Sequence, residues 1–103
     1  MRKVIEKKVY DTETAILIAE YWNGLGQGDF RYYEESLYKT RKCGYFLYGS
    51  GGPLTKYSES NGNQTWGIST IIPLSKEEAY EWLENNGETE AIEEYFSNDI
   101  DEA

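Results

Sequence analysis

The alternation of apolar and polar positions divides this chain into a strand-rich body and a helical end. Lys3 to Tyr10 alternates loosely around Val4, Ile5, Val9 and Tyr10, which predicts a first strand. Ala15 to Trp22 reads as a buried strand or as a helix begun at Asp11, and its β-branched and aromatic members favour the strand. Arg31 to Thr40 and Tyr45 to Tyr48, joined through Lys42-Cys43-Gly44, predict a hairpin. Gly49-Ser50-Gly51-Gly52-Pro53 is expected to end it, because so many glycines followed by a proline hold a ladder poorly. After a polar loop through Asn61-Gly62-Asn63, Trp66 to Pro73 predicts a last strand centred on Ile68, Ile71 and Ile72.

From Ser75 the period changes from two to 3.6. Ser75-Lys76-Glu77-Glu78 has the form of a capping box, with Leu74 and Ala79 placed as a hydrophobic staple and Asn85-Asn86-Gly87 as the stop. On such a helix Ala79, Trp82, Leu83 and Asn86 share one side, and Glu77, Glu81, Glu84 and Glu88 share the other. A second short helix is expected with Thr89 as its cap. Ala91, Ile92, Tyr95 and Phe96 form its apolar side, and Glu90, Glu93 and Glu94 lie opposite. Helices this short are marginal alone, so their aromatic sides must pack on the body. Strands first and helices last predict an α+β fold: an antiparallel sheet of about four to five strands with two short acidic C-terminal helices packed on it, in a single domain spanning 1–103.

Charge sharpens the division. From Ser75 onward one basic residue, Lys76, stands against eleven acidic ones, a net −10, whereas residues 1–74 hold nine basic and eight acidic side chains, a net +1. Carboxylates three to four residues apart on a helix rise about 5 to 6 Å at ~1.5 Å per residue, comparable to the spacing of phosphates along a nucleic-acid strand. A solvated, solubilising face is the simpler account of such a surface. The spacing also fits a cationic groove built for a phosphate backbone. Neighbouring like charges cost the helix a few tenths of a kcal/mol each (~0.2–0.5), so either packing or function maintains them.

Composition removes several classes of chemistry. Without histidine there is no Ser-His or Cys-His nucleophile pair, no imidazole proton shuttle and no histidine zinc site, and a single cysteine, Cys43, forms neither an internal disulfide nor a thiolate zinc site. The reading is a binding protein and not an enzyme, with no cofactor or metal. One cysteine, no signal-peptide core and no long apolar run point to a reducing cytoplasm and away from membranes.

Three further candidates have simpler explanations. The glycine run before Pro53 lacks the Gly-Lys-Ser/Thr of a phosphate loop and reads as turn chemistry. Arg31, Lys39, Arg41 and Lys42, interleaved with Tyr32, Tyr33, Tyr38, Tyr45 and Tyr48, could stack and neutralise single-stranded RNA or bind a partner strand, although half-buried scaffold tyrosines are the plainer account. Asp99-Ile100-Asp101-Glu102 lacks calcium-loop spacing and reads as an acidic terminus.

Several segments together resemble a known group. They are Tyr10-Asp11-Thr12-Glu13-Thr14-Ala15, Asn23-Gly24, Asp29-Phe30, Glu35-Ser36-Leu37-Tyr38-Lys39-Thr40, Gly44 to Pro53, and Ile72-Pro73-Leu74-Ser75-Lys76-Glu77-Glu78-Ala79 with Trp82. Over about residues 9–96 the chain is similar to short acidic proteins carried on bacterial plasmids, integrative elements and phages, some associated with anti-CRISPR activity against the type II RNA-guided DNA nuclease. Ala91 to Ala103 departs from the ending of those relatives, and no catalytic motif comes with the family.

The resemblance implies an inhibitory partner of a CRISPR effector nuclease or its guide-RNA complex. The expected contact residues are Glu77, Glu81, Glu84 and Glu88, supported by Glu90, Glu93, Glu94 and Asp101, in a basic channel where guide RNA or target duplex would lie. Direct nucleic-acid binding by the protein is not expected on this reading. The alternative is an RNA- or protein-binding module of a mobile element that uses the tyrosine-rich sheet and its four cations.

Overall fold

A computed structural model describes residues 1–103 as eight strands followed by two helices and a 3-10 turn. The α+β reading holds. The central element is a four-stranded antiparallel sheet of β3 (Ile16–Trp22), β4 (Tyr33–Lys39), β5 (Tyr45–Gly51) and β8 (Ser69–Leu74), in that spatial order. Two separate hairpins join it: β1 (Arg2–Ile5) with β2 (Lys8–Asp11), and β6 (Ser58–Asn61) with β7 (Gln64–Gly67). Helices α1 (Lys76–Asn85) and α2 (Thr89–Tyr95) close the chain, followed by the 3-10 turn Ser97–Asp99.

The period of two sorts β4 and β5 into faces. Leu37, Tyr45 and Leu47 turn to one side and join Ala79, Leu83 and Phe96 in the main core, edged by Ile18, Ala19, Leu74, Trp82, Ile92 and Tyr95. Phe46 turns to the other side, where Tyr38 stacks on it at 5.1 Å and Tyr10 of β2 meets it edge-on at 5.6 Å. Leu37 and Phe46 are completely buried, so both faces of the central strands are covered: one by the helices, the other by the first hairpin.

The ambiguous run at residues 15–22 is strand β3, as its β-branched content favours. Four expectations are corrected. The single strand from Lys3 to Tyr10 is a hairpin that reverses at Glu6 (φ 49°) and Lys7 (φ 67°), two left-handed residues in the loop between the paired Ile5 and Lys8. That is the backbone signature of a primed hairpin turn, made here without the usual Asn or Gly, which is why the pattern hides it. Gly49 to Gly51 extends β5 and does not end it, with Gly49 paired to both Glu35 and Thr70. The polar loop around Asn61-Gly62-Asn63 is the tip of the β6–β7 hairpin, with Gly62 at φ 64°. Trp66 to Pro73 is accordingly broken, with Ile68 between β7 and β8.

Helix α1 starts and stops where its sequence dictates. Glu78 N donates to Ser75 Oγ at 3.1 Å and Ser75 N donates to Glu78 Oε1 at 2.8 Å, which completes the capping box. At the other end Gly87 takes φ 67°, Gly87 N donates to the Glu84 carbonyl and Glu88 N to the Leu83 carbonyl, a Schellman closure. Helix α2 differs from expectation: its cap is Glu88, with no side-chain capping bond, and Thr89 is its first residue.

Candidate functional site

The acidic face of α1 depends on what holds the opposite face. Ala79 and Leu83 are fully buried against the sheet, and Phe96, just beyond α2, is 1% exposed, stacked on Tyr45 at 5.6 Å with Tyr80 edge-on at 5.7 Å. Trp82 adds a polar tie, because its indole Nε1 donates to Glu35 Oε1 at 2.9 Å. Glu35 itself is the chain's buried carboxylate, 4% exposed on the inward side of β4. Its Oε2 accepts from the Tyr57 hydroxyl and pairs with Lys56 Nζ at 2.8 Å. Burial pushes the Glu35 carboxyl up, but Lys56, Tyr57 and Trp82 outweigh it and hold the group below the usual carboxylate range. Burial and the Glu35 charge both push the Tyr57 phenol up, so it stays a donor. One carboxylate thus joins the sheet, the β5–β6 connection and α1, which fixes the helix in orientation as well as in depth.

On the outer side Glu77, Glu81 and Glu84 are all exposed and line a shallow concavity of about 620 Å³ together with Lys76, Tyr80, Phe96 and Asp99. The molecule's ion pairs are Lys56–Glu35 and Lys76–Asp99, the latter at 3.2 Å, so Glu77, Glu81 and Glu84 pair with none of the chain's own cations. Tyr80 Oη donates to Glu84 Oε2 at 2.9 Å, and that bond, with partial burial and the Glu84 and Asp99 charges, pushes the phenol up. The rim is therefore three carboxylates one turn apart, open to solvent over an aromatic floor. Such a surface accepts hydrogen bonds and attracts Lys or Arg side chains.

The expected contact residues do not all join it. Glu88 is placed outside α1, because Gly87 reverses the backbone before it, and it is half-buried at the joint between the helices. Glu90, Glu93 and Glu94 are exposed along α2, and Asp101 is exposed in the terminal segment, none of them lining the concavity. Pattern reasoning does not single out Tyr80, and it reads Asp99 only as part of an acidic terminus. The Tyr80–Glu84 spacing of four residues was the available signal for the first; the second arrives through the 3-10 turn, which no periodicity announces.

The residues of the alternative reading are dispersed. Arg31 precedes β4 and Arg41 follows it, so the seven-residue strand separates them by about 20 Å at ~3.3 Å per residue. Tyr32 and Tyr45 are buried, Tyr38 is stacked on Phe46, and Lys39 lies 6.0 Å from the Tyr95 ring centre. No group of three or more Asp, Glu, His or Cys side chains is placed to hold a metal ion. No helix is long and apolar enough to cross a membrane. Comparison with known proteins returns no matching family model, no matching curated protein and no matching solved structure.

Proposed function

We propose that this chain is an inhibitory binding protein of the anti-CRISPR type, which seats the acidic face of α1 in a basic nucleic-acid channel of a type II effector nuclease. The observation that carries the reading is the row Glu77, Glu81 and Glu84, solvent-facing and free of internal ion pairs on a helix fixed from behind by Trp82, Leu83 and Phe96. Rigid mounting removes the ordering cost that a flexible acidic tail would meet on binding, and so raises affinity for a channel of fixed shape. The resemblance to mobile-element inhibitors supports the choice of nuclease, and the row supports the choice of contact. Glu90, Glu93, Glu94 and Asp101 extend the negative field that steers the approach.

The experiment is capture of a purified, guide-loaded effector nuclease by the immobilised protein. Capture is expected at about 0.1 M salt and loss of most of it at about 1 M, where the Debye length falls from ~10 to ~3 Å. Retention unchanged across that range, or no capture at either salt, overturns the reading.

A further inference from the structure

A second charged surface runs along the opposite sign. The tip of the first hairpin and the β4–β5 connection form the two walls of a groove of about 670 Å³, floored in part by Tyr45 and Leu74. One wall carries Lys7 and Lys8, the other Arg41 and Lys42, all four exposed and none of them in an ion pair. The groove's one carboxylate, Asp11, is already engaged, accepting from Glu13 N at 2.9 Å. A chain with nineteen acids and a net charge of −9 thus keeps a strip of four cations beside a single acid.

Both walls also stand on left-handed non-glycine residues, Lys7 at φ 67° and Cys43 at φ 63°. Each such residue carries backbone strain, and the chain retains side chains there where glycine would be relaxed.

We propose that this groove binds the phosphodiester backbone of a nucleic-acid strand without reading its bases. The cations come from two chain segments some thirty residues apart that line one open groove, which offers a run of phosphates several contacts. Base stacking has no platform here: Tyr45 is 6% exposed and Tyr10 is held edge-on to Phe46. Recognition is therefore electrostatic and insensitive to sequence. The overall negative charge opposes long-range attraction of a polyanion, so contact is local and sharply salt-dependent. Leu74 of the groove floor adjoins Ser75, the cap of α1, so the basic groove and the acidic row meet at the β8–α1 junction. A nucleoprotein target presents a partner for each.

The test is a titration of the ¹⁵N-labelled full chain with a single-stranded RNA oligonucleotide at about 50 mM salt, followed by amide chemical shifts. The salt slope of affinity is measured alongside it. Shifts confined to residues 6–9 and 40–44 are expected, and the same from a DNA strand of equal length. The variant K8Q/R41Q/K42Q, which changes only exposed side chains, should keep the remaining spectrum and bind at least about tenfold more weakly. Its salt slope should fall by about 2, three contacts at ~0.7 each. Shifts absent or centred elsewhere overturn the proposal, as does a variant that binds like the parent. Pyrophosphate binding as tightly as the strand would instead mark a compact phosphate site, and poly-glutamate binding as tightly would mark a generic anion surface; either contradicts it. No nuclease takes part, so the result stands apart from that of the capture experiment.

Discussion

Glu35 and Glu81 are the same side chain in opposite circumstances. Glu35 sits inside the fold with Lys56, Tyr57 and Trp82 all directed at it, whereas Glu81 stands in water with no internal partner. A carboxylate taken out of water without donors would cost several kcal/mol, so both oxygens that Glu35 brings inward must be answered. A carboxylate left outside costs only its mild repulsion of neighbours, roughly 0.2–0.5 kcal/mol per pair. The contrast separates two jobs for one chemistry: the inward acid orients the helix, and the outward acids are what that orientation displays.

The largest expected effect is on the inward acid. Glu35→Gln leaves an amide N–H₂ facing one of three donors and removes the partner of Lys56, and should lower unfolding free energy by about 2–4 kcal/mol in urea denaturation. Because the folded-state carboxyl titrates below its unfolded value, the stabilisation from Glu35 is fully present above about pH 4.3 and is lost as pH falls through the folded value. The gap between parent and E35Q should therefore narrow on acidification below about pH 4. A gap that stays constant down to pH 2 would place the stabilisation in shape and not in charge.

A smaller effect tests the same hub from the backbone side. A Cβ on Gly49 would overlap the Tyr57 ring, so Gly49→Ala must displace the ring whose hydroxyl donates to Glu35. A loss of about 1–3 kcal/mol is expected, the range for overpacking, and it should be partly non-additive with E35Q because both act on one bond. Full additivity would separate Tyr57 from the hub.

Parts of this arrangement were legible in the chain. The capping box, the Asn86-Gly87 stop and the clustering of acids on one side of residues 76–85 follow from spacing alone, because α1 is organised by local backbone bonds. The inward acid had a fainter mark: Tyr33, Glu35 and Leu37 share one face of β4, and a carboxylate at an inward position of an alternating strand calls for buried partners. Its partners lie 21, 22 and 47 residues downstream in Lys56, Tyr57 and Trp82, beyond any periodicity. The glycines of β5 misled for a related reason, since Gly49 is small to admit a distant ring and not to break a strand. The basic groove is assembled from two hairpin tips some thirty residues apart, Lys7-Lys8 and Arg41-Lys42, one of them reversing through Glu6-Lys7 with no turn residue to announce it.

The exposed acids carry the smallest expected stability effect and, on the proposed function, the largest expected functional one. Glu81→Lys creates a favourable pair with Glu77 four residues earlier, and Glu84→Lys puts a cation in the last turn, where the helix dipole favours it and where no basic residue now stands. The double variant E81K/E84K should be as stable as the parent or more so, by up to about 1 kcal/mol, despite losing the Tyr80–Glu84 bond. Its potency in a purified nuclease-cleavage assay, read beside its melting temperature, is the most direct measurement of what the outer face does. Inhibition lost with the melting temperature held or raised is the predicted result; a double variant that inhibits as well as the parent would mean that the row Glu77, Glu81 and Glu84 is not the contact.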